Sequence, residues 1–211
     1  MANADNISEA TLSRLPVYLR YLRGEAAKGK LYISSSAIAD DLGFSAVGIR
    51  KDLAIVSSVQ GKPRMGFEVG KLISDIEKFL GYHTWKEAVV VGAGGLGRAI
   101  LAYDGFENYG IHIIAGFDVL PERVGGAGRK IVYPMERLSE VVSRHGVRVG
   151  ILSVPRSAAQ EACDAMVKAG IRAILNFTPV YLQVPDGVKV KYEDLAVSLA
   201  ALCGELTDEL K

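Results

Sequence analysis

Six residues, Gly92-Ala93-Gly94-Gly95-Leu96-Gly97, have the spacing that cradles a phosphate group. The apolar run 88–91 leads into them, and a helical pattern follows from Leu96 to about Phe106. A second apolar run, 111–117, ends on Asp118. Strand, glycine turn, helix, strand and acid is the order a dinucleotide site requires. Gly92 lets the chain turn sharply out of its strand. Gly94 carries no side chain, so the backbone can approach a pyrophosphate. Gly97 lets the helix pack close to the sheet. The unpaired N–H groups of the first helical turn, aided by the helix dipole, then face the anion. Asp118 lies 21 residues beyond Gly97, close to the roughly 20 expected of a ribose-binding acid. Its carboxylate accepts hydrogen bonds from ribose hydroxyls and repels a 2′-phosphate. The pattern therefore predicts NAD(H) rather than NADP(H).

Chemistry on that nucleotide would need a proton donor or acceptor beside the nicotinamide. The histidines do not supply one. His83 falls in a linker, His112 inside a strand, and His145 at a helix end before Gly146. Tyr103 and Asp194 have no reaction partner in the sequence, and a nucleophile elbow is absent. Cys163 and Cys203 stand in helical patterns without metal-ligand spacing, which predicts buried thiols and no metal. No catalytic residue is expected, and the nucleotide reads as a signal more than a reagent. Two other uses stay open: an NAD-dependent oxidoreductase with a helical appendage, and a CoA-binding module, since related sheets bind CoA.

Ahead of the glycine turn the chain reads as helices. From 9 to about 28, Leu12, Leu15, Tyr18, Leu19 and Leu22 recur at helical spacing. Pro16 marks either the start of the regular helix or a bend. Ser34 opens a second, short helix that Gly43 closes. Ser45 caps a third, from 46 to about 56, whose apolar positions are Val47, Ile49, Leu53 and Val56. Two short helices joined by a glycine-containing turn make a helix-turn-helix candidate. The second of them would display Ser45, Ala46, Gly48, Arg50 and Lys51. Segment 57–69 is punctuated by Gly61, Pro63 and Gly66 and has a basic tip, Lys62 and Arg64; it reads as a two-stranded wing. Between 45 and 71 five basic residues stand against two acidic, and Asp52 is the acid that cuts the charge of the third helix. The chain's net charge of +1 offers no other hint of nucleic acid. A small interaction or dimerisation module fits the same spacing. Helix 70–80 and a linker follow.

Beyond the glycine turn the pattern alternates. It predicts strand 88–92, helix 95–108, strand 111–117, a glycine-rich loop 120–132 and helix 134–144. Strand 147–154, helix 158–169 capped by Ser157, strand 171–177, strand 188–192 and a helix from about 193 complete it. Such alternation predicts a doubly wound parallel sheet. The strand ends at Ser153-Val154-Pro155 and at Asn176 should face the same crevice as the glycine turn. A chain of 211 residues, 49% hydrophobic, can fill two small cores. The expected architecture is α/β: a helical domain over 1–83, the parallel sheet over 84–192 and a terminal helix over 193–211. No apolar run approaches the roughly 18 residues of a membrane span. The opening Met1-Ala-Asn-Ala-Asp5 lacks a signal peptide's basic and apolar regions, so a cytoplasmic protein is expected.

Several pieces recur in a recognisable order. They are Arg14-Leu15-Pro16-Val17-Tyr18-Leu19-Arg20, Ile49-Arg50-Lys51-Asp52-Leu53, the stretch from Val91 through Gly97, Phe117-Asp118, Ser153-Val154-Pro155-Arg156, Asn176-Phe177-Thr178-Pro179 and Asp194-Leu195-Ala196. Over essentially the whole chain this resembles the redox-sensing transcriptional repressor Rex family. The resemblance implies a winged helix followed by a Rossmann domain, in a homodimer whose C-terminal helix is exchanged between subunits. It implies that NADH and NAD⁺ compete for one site, that NADH favours a closed arrangement unable to hold operator DNA, and that the NAD⁺-bound or free form binds it. By matching position, Arg50 and Lys51 in the recognition helix and Lys62 and Arg64 in the wing contact DNA. Tyr103 and Phe106 stand at the nicotinamide pocket and dimer interface, and Asp194 alternates between Tyr103 and Arg20. The chain departs from the family pattern at Ser57-Ser58, where a Phe-Gly pair is common, and at Leu120, where an acid is often found. Its terminal helix, with Leu195, Leu199, Leu202 and Leu206, is short of aromatics.

Overall fold

The computed structural model describes residues 7–58 and 60–209, so the reading of residues 1–5 falls outside it. The chain divides into two compact units, Met1–Thr84 and Trp85–Lys211.

The first unit holds α1 (Glu9–Ala27), β1 (Tyr32–Ile33), α2 (Ser35–Leu42), α3 (Ala46–Val56), β2 (Phe67–Glu68) and α4 (Val69–Leu80). Its helix ends are made by side chains. Ser34 Oγ accepts the Ala37 N–H and Ser45 Oγ accepts the Gly48 N–H, so each serine fills an otherwise empty first-turn donor. Gly43 closes α2 in the left-handed region at φ 68. The core gathers Leu15, Tyr18, Leu19 and Leu22 of α1 with Ile38, Ile49, Leu53, Leu72 and Ile76. Pro16 neither starts α1 nor ends it; the helix runs through it from Glu9. The hydrogen bond it cannot donate is outweighed by the apolar face buried on both sides of it. Of the apolar positions of α3, Ile49, Leu53 and Val56 are buried and Val47 is 60% exposed.

The wing is smaller than predicted. β2 pairs antiparallel with β1, and just ahead of it the chain closes on a single bridge, Lys62 to Gly66. Pro63 cannot donate to a ladder, and Arg64 at φ 62 with Gly66 at φ 84 turns the chain too tightly for a ribbon. A side chain at Gly66 would overlap the Ile33 carbonyl.

The second unit runs β3 (Lys86–Val91), α5 (Gly95–Ala102), β4 (Ile111–Asp118), β5 (Gly125–Ala127), β6 (Lys130–Pro134), α6 (Leu138–His145), β7 (Val149–Leu152), α7 (Ala159–Ala169), β8 (Ala173–Asn176), β9 (Lys189–Tyr192) and α8 (Leu195–Glu209). One sheet has the order β5-β6-β4-β3-β7-β8-β9, parallel from β6 through β9. Numbered from β3, its six parallel strands lie 3-2-1-4-5-6, the order of dinucleotide-binding sheets. Val89, Val91 and Phe117 on one face pack with α6 and α7 residues such as Val142 and Met166. Ala88, Val90 and Ile113 on the other pack with Ile100 and Leu101 of α5. The direction of winding reverses between β3 and β7, and that reversal opens a crevice at their C-terminal ends.

Four expectations need correcting. The helix after Gly97 stops at Ala102; Tyr103 is extended, and residues Asp104–Tyr109 form a 3₁₀ turn. The Tyr103 ring lies over Gly105, whose lack of a side chain leaves room for it, and glycine inside a helical pattern favours the break. The glycine-rich loop 120–132 is a hairpin of β5 and β6, turning at Gly128 (φ 64) and Arg129. The segment from Pro134 begins with β6's last residue and a 3₁₀ turn before α6. Ser157 caps nothing: Arg156–Ala158 is a 3₁₀ turn, and α7 starts without a side-chain cap.

Candidate nucleotide and nucleic-acid sites

The glycine turn joins β3 to α5. Gly92 has φ 95 and donates its N–H to the Phe117 carbonyl at 2.8 Å. Ser153 Oγ donates to the Gly92 carbonyl at 2.8 Å, tying the end of β7 to the turn. A Cβ at Gly97 would sit inside van der Waals contact of that same carbonyl oxygen and 3.0 Å from Ser153 Oγ. The position a Cβ of Gly94 would take faces only the Arg123 guanidinium, 3.7 Å away. Gly94 also starts α5 without a side-chain cap, so no capping side chain occupies the first-turn N–H groups. A pyrophosphate fits this cradle, with Gly94, Gly95, Leu96 and Gly97 supplying backbone donors.

Asp118 ends β4, 5% exposed. Its Oδ2 accepts the Ala93 N–H at 2.7 Å and its Oδ1 the Leu120 N–H at 2.9 Å. Arg123 Nη1 lies 3.4 Å from Oδ2. Burial opposes ionisation, but the Leu120 and Ala93 N–H groups and the Arg123 guanidinium outweigh it and hold the pKa below the usual carboxylate range. The acid is therefore charged at neutral pH and locks the glycine turn to β4. Beside it a cavity of about 370 Å³ is walled by Val119, Leu120, Met135, Val154, Ala158 and Ala162. A mostly apolar slot lined also by the carboxylates Asp118 and Glu161 suits a flat base and its ribose. Pro155 is exposed at its rim.

The remaining predicted contacts stand differently. Asn176 is fully buried, and its amide is saturated within its own loop. Nδ2 donates to the Thr178 and Val180 carbonyls; Oδ1 accepts the Thr178 N–H and hydroxyl. It shapes the loop after β8 and has nothing left to offer a ligand. Tyr103 is exposed and packs edge-on against Phe106, their centroids 5.3 Å apart. Asp194 Oδ1 caps α8, accepting the Ala196 and Val197 N–H groups at 2.9 and 3.0 Å. No bond joins it to Tyr103 among the described residues. Arg20 lies on the exposed face of α1. Residue 206's side chain lies outside the described set. His112 and His145 pair with Glu107 and Glu87, both at 3.3 Å. His112, at the start of β4, lies at the opposite end of the sheet from the crevice. Among the described residues no group of three His, Cys, Asp or Glu could hold a metal, and Cys203 is exposed rather than buried.

In the first unit a cleft of about 830 Å³ lies between α2, α3 and the wing. Ser34, Ser35 and Ser36 line it together with Arg50, Lys62 and Arg64. Lys51 is exposed on α3 beside Arg50. Cations, hydroxyls and a helix start in one cleft are suited to a phosphate backbone. Val47, three residues before Arg50, adds an exposed apolar patch; its spacing from Arg50 and Lys51 could have revealed it.

Asp52 does not weaken this basic surface. It points inward, 3% exposed, and accepts four hydrogen bonds: one from Thr11, two from Arg14 and one from Tyr18. The acid in the middle of α3 is thus the bolt that fixes α3 on α1. Asp75 does the same for the wing's root, accepting the Ser58 N–H and hydroxyl at 2.8 Å.

Residues 6–54 match the family model described as "Putative DNA-binding protein N-terminus", and residues 83–180 the one described as "CoA binding domain". Among curated relatives, the redox-sensing transcriptional repressor Rex of Pelotomaculum thermopropionicum is 42% identical over 96% of this chain and 95% of its own. Rex of Bacteroides fragilis is 36% identical over 97% and 93%. Among solved structures, the Rex-family repressor RSP in complex with NAD⁺ and operator DNA is 34% identical with a TM-score of 0.87, over 96% of this chain and 94% of that one. RSP in complex with NADH gives 33% and 0.84, over 98% and 99%. With two-unit architecture, glycine crevice and sequence aligned end to end, the chain belongs to the Rex family of redox-sensing transcriptional repressors.

Proposed function

We propose that the protein binds operator DNA as a homodimer through α3 and the wing, and releases it when NADH fills the crevice between β3 and β7. The reading rests above all on one observation: the glycine turn, its uncapped helix start and ionised Asp118 lie together at the crevice as a dinucleotide cradle. Occupancy is then the output, and the protein is a sensor, not an enzyme, acting in the cytoplasm where operators lie. Arg50, Lys51, Lys62 and Arg64 supply the DNA contacts, with Ser45 placing the start of α3. Tyr103 and Phe106 sit where the nicotinamide end would report, and Asp194 would have to leave its cap on α8 to reach Tyr103 or Arg20. The row Leu195, Val197, Leu199 and Leu202 on α8, each at least 56% exposed, is the surface a second copy would cover.

A ligand that binds both arrangements equally shifts nothing. The test is operator titration at fixed total nucleotide while the NADH:NAD⁺ ratio changes. Operator affinity falls as NADH rises, by about 5- to 150-fold for an ordinary allosteric coupling; an affinity indifferent to the ratio removes the sensor reading. Arg50→Ala and Lys51→Ala each lower the slope of log affinity against log salt by about one. An unchanged slope for both would move the DNA contacts elsewhere.

The CoA reading has a family description in its favour. Asp118, at the ribose position, opposes a 3′-phosphate as it does a 2′-phosphate. Calorimetry decides: CoA binding tighter than NADH would make it the ligand.

A further inference from the structure

Arg123 occupies the crevice that the dinucleotide must enter. Its guanidinium lies 3.4 Å from Asp118 Oδ2 and 3.7 Å from where a Cβ of Gly94 would stand, so it spans the ribose acid and the phosphate cradle. The short turn carrying it, Pro121–Arg123, is held down from the α5 side: Arg98 Nη2 donates to the Arg123 carbonyl at 3.0 Å. The backbone is thus anchored, while the side chain is about one-third exposed and held at Asp118 by one long bond of 3.4 Å.

The acceptor count at Asp118 makes the placement informative. A carboxylate offers about four acceptor positions. The Ala93 and Leu120 N–H groups take one on each oxygen, and both are backbone bonds that hold the turn. Arg123 takes a third, on Oδ2. With Arg123 in place, Oδ2 is full. With Arg123 gone, one position is open on each oxygen, which is what the 2′- and 3′-hydroxyls of a ribose need. The departing guanidinium meets, at Gly94, the place where a pyrophosphate brings its negative charges.

On the dinucleotide reading above, we propose that Arg123 is a displaceable plug that passes from Asp118 to the ligand's pyrophosphate. The ribose diol takes its place on the acid, and the phosphates take the cation. The exchange makes binding depend on both halves of the adenosine diphosphate moiety. A nucleoside without phosphates must unseat Arg123 and gives it no new partner, whereas a dinucleotide replaces one long, partly exposed pair with a pairing to its pyrophosphate. The residue therefore discriminates against free adenosine and for pyrophosphate-bearing ligands.

The prediction has opposite signs for two probes, which a merely structural role does not produce. In full-length Arg123→Gln, NADH affinity falls about tenfold, while adenosine affinity rises about threefold because nothing competes for Asp118. NADH is followed by its fluorescence and adenosine by NMR titration. Arg123→Lys keeps the charge and retains most of the NADH affinity, which guards against a folding artefact. Affinities for both probes falling together, or neither moving, overturns the plug. Wild-type protein that fails to bind NADH at all overturns the dinucleotide reading instead.

Discussion

Gly97→Ala leaves a protein that still holds operator DNA but no longer releases it to NADH. The added Cβ lands on the Gly92 carbonyl oxygen and presses Ser153 Oγ. Neither can yield cheaply. Gly92 is pinned through its N–H to Phe117 and through its carbonyl to Ser153. The start of α5 must move instead, and with it the N–H groups that face the phosphates. Overpacking of this kind costs about 1–3 kcal/mol, so NADH affinity drops on the order of tenfold to a hundredfold. The α3 helix and the wing belong to the other compact unit, so operator affinity without nucleotide stays at the wild-type value. Fluorescence titration of NADH and operator binding at rising NADH read the two effects separately. Wild-type NADH affinity in Gly97→Ala would mean that the ligand sits elsewhere.

This variant and Arg123→Gln strike the same crevice by different means. Gly97→Ala displaces the backbone donors and weakens every phosphate-bearing ligand alike. Arg123→Gln leaves the backbone in place and moves adenosine and NADH in opposite directions. A sensor needs both features: a fixed cradle that sets affinity, and groups that respond to which ligand arrives.

The glycine turn was legible in the sequence because its geometry is local. Gly92, Gly94 and Gly97 act through a turn, an open approach and a close crossing, each written in a single residue. The same holds for the Ser34 and Ser45 caps and for Gly43. What escaped the sequence depends on neighbours distant in the chain. Asp52 appeared as a charge subtracted from a DNA-binding surface; only the fold shows Arg14 and Tyr18 arriving from another helix to bury it. Asn176 ended a strand at the crevice, as expected, yet its amide turns into its own loop, where Thr178 and Val180 satisfy it. The hairpin of β5 and β6 hid behind Gly125, Gly126 and Gly128, which read as loop because glycine carries no strand pattern. Arg123 carried a usable signal, a cation five residues after the ribose acid, but its partners are set by the fold.

The recognition helix should be lost before the nucleotide site when Asp52 is changed. Asp52→Asn keeps the size but turns an acceptor of four bonds into an amide whose NH₂ faces donors. Breaking a buried pair costs about 3–5 kcal/mol; with Arg14 30% exposed and able to regain water, about 2–3 kcal/mol is expected here. Operator affinity falls as α3 loses its fixed place on α1, while NADH affinity, which belongs to the other unit, does not change. The pH dependence identifies the cause. Burial raises the Asp52 pKa, but the bonds from Arg14, Tyr18 and Thr11 outweigh it and leave it below the usual aspartate range. A depressed carboxylate contributes stability that is complete above its unfolded value, about 4, and is lost as pH falls through the folded value. Tyr18 acts at the other end: burial, then donation to Asp52, pushes its phenol up to about 12. That contribution is complete below the ordinary tyrosine value, about 10, and is lost as pH rises toward 12. Urea unfolding of wild type and Asp52→Asn across this range should show the two curves converging in acid, where the wild-type carboxylate is protonated, and differing most near neutrality. Parallel curves at every pH would mean that Asp52 holds α3 by shape alone, and its charge would have no part in keeping the recognition helix in place.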